Sequence, residues 1–354
     1  MPGSKITGKL IKHPLMMAAE NTFMPLCLDA PDGLVLLMVG PTQSGKSIFF
    51  KRVVEELRRG FVDTEPGGIP VIDLQIETVN EGRVKPKWLV IELLKCLNHP
   101  LYKDIGSLEN FETTLRTRGR DEGTLRMALK EALRGRRTRR TCLDEFHLLT
   151  RTQNAELRGS ILESIKSTCA IDRTLIACGG YESIYQGIFE SSHFCGRIVV
   201  YDYGNYEMGV STDEEAWARI LATYAKSLEL KTPDLLHKHR HSIMEVANGV
   251  VGLLDKLLWI AKSKAASANT RIDGAILEQS FPSKKEQNTI RADIHLGRSA
   301  LASSGLNCLR PRVSKEGDFL GSSGNEVRPK AKRRPFVRSA NRDAAMAVEI
   351  SDDD

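Results

Sequence analysis

The segment that most constrains this chain is Gly40-Pro41-Thr42-Gln43-Ser44-Gly45-Lys46-Ser47, directly behind the apolar run Leu34-Val35-Leu36-Leu37-Met38-Val39. It fits the phosphate-loop pattern G-x-x-x-x-G-K-[ST], whose working context is a buried strand on one side and a helix on the other. A strand that runs into a helix instead of a hairpin belongs to a parallel sheet, because parallel neighbours need such a crossover. The chemistry follows from the same geometry. Unpaired N–H groups of the turn and of the helix N-terminus bring positive partial charge onto bound phosphate. In that arrangement Lys46 reaches the β- and γ-phosphates and the Ser47 hydroxyl ligates Mg²⁺. Residues Gly40 to Ser47 are therefore read as a nucleoside triphosphate cradle, with ATP and Mg²⁺ as the expected cofactors.

The rest of the chain extends the same βαβ alternation. Strands are predicted at 34–39, 69–76, 141–144, 174–178 and 197–203, with helices at 47–59, 86–97, 123–133 and 155–170. The expected fold is α/β, a five-stranded parallel sheet covered by helices, occupying 31–210 after a lead-in at 1–30 with a short helix at 14–23. From Thr212 the strand signal stops, and helices at 212–228, 242–264 and 272–280 predict a small all-helical lid domain over 211–306. Residues 307–354 turn to Gly, Ser, Pro and charge and read as a flexible tail.

Composition excludes several classes. At 354 residues and 41% hydrophobic, the chain can bury a substantial core. It has no apolar run near the roughly 20 residues that cross a bilayer, and no secretory leader pattern. Its seven cysteines stand singly with no C-x-x-C pair, which argues against a zinc site or a disulfide framework. A cytoplasmic protein without a membrane partner is expected.

A phosphate loop needs a carboxylate on a neighbouring strand to position Mg²⁺. Cys142-Leu143-Asp144-Glu145-Phe146-His147 supplies one. Asp144 at the strand end would hold the Mg²⁺ water shell and Glu145 would polarise the attacking water; the alternative is an exposed acidic pair. His147 reads as a hydrogen-bonding turn residue before it reads as a base, and Cys142 as core. Arg197 stands just before Ile198-Val199-Val200, where ring-forming ATPases often carry the arginine that completes a neighbour's site. It can equally be a surface arginine at a strand start. Arg173 is the lesser candidate for the same role.

Between 116 and 140 lie Arg116, Arg118, Arg120, Arg126, Lys130, Arg134, Arg136, Arg137, Arg139 and Arg140. Such density suits neutralisation of duplex phosphates without sequence readout. A solvated helix face, or contact with a neighbouring subunit's nucleotide, explains it as well. The tail carries Lys330-Ala331-Lys332-Arg333-Arg334 with Phe336 and Arg338, suited to docking on DNA or on a partner.

The order of these segments resembles the AAA+ ATPases, and more narrowly the transposition regulators of the TnsC/TniB type. His13-Pro14 precedes the phosphate loop, Leu143-Asp144-Glu145-Phe146-His147-Leu148-Leu149 follows, then Leu175-Ile176-Ala177-Cys178-Gly179-Gly180-Tyr181-Glu182. Asn248-Gly249-Val250-Val251-Gly252-Leu253-Leu254 resembles the lid segment Gly-x-x-Gly-x-Leu. The resemblance spans roughly 10–280. It implies a homo-oligomer, ring or helical filament, assembled with ATP on double-stranded DNA. Such an assembly links a target-selector protein to the transposase and is dismantled by hydrolysis. Two departures stand out. Gly180 occupies the place of the γ-phosphate-sensing Thr or Asn, leaving Tyr181, Glu182 and Ser183 as substitutes, and the lid offers Lys256 in place of a second-sensor arginine. Hydrolysis is accordingly expected to be slow or partner-dependent. The alternatives are another AAA+ regulator, of secretion or replication, and a nucleotide-gated scaffold that barely hydrolyses.

Overall fold

The run 34–39 has the unbroken apolarity of a strand covered on both faces, and β1 (Val35–Gly40) is buried at every position. The computed structural model describes residues 6, 10–62, 65–78, 84–103, 121–151, 161, 165, 173–186 and 196–310. Around β1 assemble β2 (Val71–Gln75), β3 (Arg140–Asp144), β4 (Thr174–Gly180), β5 (Ile198–Asp202) and β6 (Cys308–Leu309). All pair in parallel, in the order β2-β3-β4-β1-β5-β6. One strand, β4, therefore separates β1 from β3, and the phosphate loop and the acidic pair leave the same C-terminal edge of the sheet.

The sheet has six strands where five were predicted. The sixth, β6, falls in the segment read as tail, pairing Val200 with Cys308 and Tyr201 with Leu309. A two-residue strand has no periodicity to detect, so only tertiary pairing defines it. Just beyond it, Arg310 pairs with Asp202 and Glu207 and fastens the segment to the end of β5.

Side chains of period two divide the core. Leu36, Met38, Cys142, Ile176 and Tyr201 pack on one face with Phe23 of α1 (Pro14–Asp29) and Phe49, Val53 and Leu57 of α2 (Lys46–Gly60). Leu37, Val39, Leu143, Ala177 and Val200 pack on the other. There they meet α3 (Pro86–Cys96) and α4 (Glu122–Gly135), the latter capped by the Asp121 side chain accepting from the Thr124 N–H. The predicted helix at 155–170 lies outside the described residues but for Ile161 and Ile165. A 3₁₀ turn (Phe146–Leu149) follows β3, and a short α5 (Glu182–Tyr185) follows β4.

Beyond β5 come α6 (Ser211–Ala225), α7 (Leu235–Lys238), α8 (Arg240–Val246), α9 (Val251–Ser267), α10 (Gly274–Gln279) and α11 (Lys284–Ser303). The helix predicted over 242–264 is two. Asn248 and Gly249 take left-handed backbone, φ 49° and 63°, and break it between α8 and α9. A Cβ at Gly249 would lie 1.9 Å from the Tyr206 carbonyl oxygen, so the break is where the lid closes onto the chain leaving β5. The 20-residue α11 was not predicted, its apolar spacing being diluted by charge; Ser283 caps it by accepting from the Glu286 N–H. These helices and the sheet fall within one compact unit, Met1–Asp318. Among the described residues no helix is long and apolar enough to cross a membrane.

Candidate nucleotide site

The loop between β1 and α2 turns through left-handed backbone at Gln43 and Gly45, φ 59° and 95°, before the helix opens at Lys46. Lys46 is buried, and its Nζ donates to the Pro41 carbonyl and, at 3.3 Å, to Ser44 Oγ. The ammonium is thereby folded over the loop it would share with phosphate. Burial lowers its pKa from the ordinary value, while the acidic groups around it, Glu145 and Asp144 among them, pull the other way. A lysine so placed would gain counter-charge from a bound phosphate.

Ser47 Oγ donates to Asp144 Oδ1 at 3.4 Å, and that same oxygen accepts the Glu145 N–H at 2.8 Å. A hydroxyl and a carboxylate are hard oxygen donors, and at this separation they can share one Mg²⁺. Among the described residues no group of three or more His, Cys, Asp or Glu is arranged to hold a metal ion. Two protein oxygens fit Mg²⁺, which keeps water and substrate phosphate in the rest of its shell.

Glu145 is itself in left-handed backbone, φ 58°, a conformation that a non-glycine residue holds only when its surroundings fix it. Burial first, then the neighbouring Asp144, raises its carboxyl above the ordinary range, the direction that makes a better base. His147 Nδ1 lies 3.4 Å from Glu145 Oε2 and 3.4 Å from the Gly180 backbone nitrogen, which donates to it. Burial lowers the His147 pKa, and its Nδ1 serves as an acceptor for the Gly180 N–H.

These groups line one cavity of about 1250 Å³. Its lining includes the polar Lys46, Ser47, Asp144 and Glu145 and the apolar Ile11, Met16, Trp259 and Leu296. A cavity that combines polar groups for phosphates with apolar groups for a base suits a nucleotide. At the lid side, the Gly252 N–H of α9 donates to the Gln43 carbonyl at 3.0 Å, tying lid to loop.

Other candidates fall elsewhere. Arg197 is exposed at the N-terminal start of β5, its carbonyl accepting the Val35 N–H, on the edge of the sheet away from Lys46. It is not among the residues that line the cavity with Lys46. Arg173 is buried at the start of β4. Lys256 lines the cavity, but its Nζ pairs with Glu286 Oε1 at 2.8 Å. Arg151, Asp293 and Trp259 line the cavity unannounced by any motif, since long-range packing alone brings them there.

The basic cluster divides. Arg116, Arg118 and Arg120 lie outside the described residues. Arg140 is 4% exposed and donates to the carbonyls of Cys27, Leu28 and Ala30 and to Asp32, with its guanidinium 4.5 Å from the Phe61 ring centroid. Arg136 donates to the carbonyls of Leu97 and Asn98, just beyond α3, and of Gly67, ahead of β2. Arg126, Arg137 and Arg139 pair with Glu122, Glu65 and Asp32. Lys130 and Arg134 remain as exposed cations on α4. Arg136 and Arg140, at least, therefore tie distant segments of the fold together.

No protein-family model and no curated protein matches the chain. Solved structures similar to it include the ORC2 protein of Aeropyrum pernix in its ADPNP–ADP complexes, at 13% identity and TM-score 0.46, over 76% of this chain and 65% of that one. This chain thus spans just under two thirds of that relative. Drosophila ORC bound to DNA is similar at 14% identity and TM-score 0.45, over 81% and 70% of the two chains. The Walker-type ATPase of Pyrococcus abyssi is similar at 14% identity and TM-score 0.45, over 87% of each. At these levels, the chemistry of the site rests on its own geometry.

Proposed function

We propose that this chain is an AAA+ ATPase that assembles with ATP on double-stranded DNA and regulates DNA transposition. The observation that carries the ATPase part is the convergence of Lys46, Ser47, Asp144 and Glu145 on one cavity. Lys46 and the loop N–H groups would bind and neutralise the β- and γ-phosphates. Ser47 and Asp144 would hold Mg²⁺, which when bound offsets charge on the phosphate oxygens. Glu145 would orient a water and take its proton as the water oxygen bonds to the γ-phosphorus. The bond from that phosphorus to the β–γ bridging oxygen breaks, releasing ADP and phosphate.

The transposition part rests on the motif order described above. Arg197 is suited to act in trans: it is exposed and beyond reach of its own nucleotide, so a neighbouring copy in a ring or filament is its natural acceptor. For DNA, Lys130 and Arg134 are exposed cations on α4. A transposase and a target-selector protein would be the assembly's partners. A second reading, a nucleotide-gated scaffold with little hydrolysis, draws support from Gly180, which brings no side chain to the γ-phosphate end.

Binding to random-sequence duplex DNA, with and without ATP and beside Lys46→Ala, tests the proposal. Large salt-sensitive assemblies that need ATP and Lys46 support it. ATP binding with no change in DNA affinity would refute the DNA role. Phosphate release stimulated by DNA or transposase would exclude the scaffold.

A further inference from the structure

A missing side chain at Gly180 leaves the γ-phosphate end of the cavity to its neighbours. A Cβ at Gly180 would meet the His147 ring at 3.7 Å, so the imidazole already occupies the space beside the strand end. Of the three residues that follow, Tyr181 is fully buried and its hydroxyl donates to Asp202 Oδ1 at 2.7 Å. Ser183 is fully buried too. Glu182 lines the cavity, but a carboxylate repels phosphate. It holds a cation instead. Arg151 Nε lies 2.8 Å from Glu182 Oε2, and the second contact, from an Arg151 terminal nitrogen to Glu182 Oε1, is 3.3 Å.

Arg151 leaves the 3₁₀ turn just after the acidic pair and lines the same cavity as Lys46, Asp144 and Glu145. We propose that Arg151 is the cation that reads the γ-phosphate of ATP within its own subunit, and that Glu182 is the latch that holds it when that phosphate is absent.

The exchange is chemically matched. A guanidinium fork accepts carboxylate and phosphate in the same two-bond geometry, so Arg151 can leave one for the other without a new shape. The pair is also partly open to solvent, with Arg151 44% and Glu182 27% exposed, so it is weakly held and readily traded. Glu182 opens α5, at whose other end the Tyr185 hydroxyl donates to Asp293 Oδ1 of α11 at 2.9 Å. Release of Glu182 is thereby felt by the lid.

The inference rests on the ATP reading, and equilibrium binding of fluorescent ADP and of a fluorescent non-hydrolysable ATP analogue separates the two. Lys46→Ala should lose both ligands. Arg151→Ala should weaken the ATP analogue about tenfold and leave ADP within about twofold. Arg151→Lys should fall between, a point charge replacing a fork. Glu182→Gln should raise the preference for the ATP analogue over ADP. If Arg151→Ala fails to fold in a thermal melt, the Lys and Gln variants carry the comparison. An unchanged ATP-to-ADP preference in these variants overturns the inference alone. Failure of the wild type to bind either nucleotide overturns the ATP reading and the inference with it.

Discussion

Ser47 Oγ and Asp144 Oδ1, 97 positions apart in the chain, meet at 3.4 Å where α2 begins and β3 ends. The contact would give Mg²⁺ two hard oxygens, and Asp144 also accepts the Glu145 N–H. Asp144→Asn retains an oxygen for that N–H but loses the charge. Phosphate release is expected to fall at least about 100-fold and to need more Mg²⁺, with ATP binding in chelator nearly unchanged. A magnesium titration of phosphate release checks this, and an unaltered magnesium dependence would remove Asp144 from the metal site.

Glu145 is held in left-handed backbone with its carboxyl pointing to the same cavity. Glu145→Gln keeps size and hydrogen bonding while removing the proposed base. Hydrolysis should drop roughly 10²–10⁴-fold, with ATP affinity preserved, and any DNA assembly should persist instead of turning over. Single-turnover kinetics beside equilibrium binding separates the two effects. Wild-type hydrolysis in this variant would assign the base elsewhere.

Arg140 and Arg134 belong to one basic stretch and should behave oppositely. Arg140→Ala leaves three backbone carbonyls and Asp32 without their buried donor, and is expected to destabilise the fold by about 3–5 kcal/mol. Arg134 is exposed on α4, so Arg134→Ala should change stability by less than about 0.5 kcal/mol. If it touches DNA, the slope of log affinity against log salt should become shallower by about 1. Denaturant melts and a salt series on each variant read both outcomes.

That contrast marks how far the sequence could be read. The phosphate loop, the acidic pair and the five main strands were legible because each is written in consecutive residues: an apolar run, a Gly-rich turn, a strand-end carboxylate. Arg140 looked like its neighbours because burial is decided by α1, more than a hundred positions away. The two-residue β6 exists only by pairing with β5. Arg151 reaches the cavity because Glu182, on a different strand connection, turns it there. Local chemistry was written in the sequence, and contacts between distant segments were not.

His13 carries a pH dependence that distant packing creates. Its Nδ1 lies 3.0 Å from the Tyr206 hydroxyl, which accepts from the Leu15 N–H and so donates to a neutral imidazole. Burial depresses its pKa from 6.5 to about 4. Between these values the unfolded chain binds a proton that the folded chain does not. The contribution is therefore whole above about pH 6.5 and fades as pH falls toward 4, reaching about 3 kcal/mol. His13→Gln should flatten that part of the stability–pH curve, measured by urea melts from pH 4 to 7. An unchanged slope would mean that His13 protonates in place.

Gly252 gives the most direct test that lid and loop move as one. Its N–H donates to the Gln43 carbonyl at 3.0 Å, and a Cβ there would stand 2.2 Å from that same oxygen. The neighbour is loop backbone, so Gly252→Ala must displace either the start of α9 or the phosphate loop. Displacing the loop moves the N–H groups that would hold phosphate, so ATP and ADP affinity should fall together, by about tenfold or more. Gly135→Ala serves as the control, since a Cβ there meets nothing within 4 Å, and nucleotide affinity should not change. Equal loss of ATP and ADP at Gly252, set against the selective loss expected at Arg151, separates a misplaced cradle from a missing γ-phosphate contact. If Gly252→Ala binds both nucleotides as tightly as the wild type, the lid closes on the loop without setting its shape.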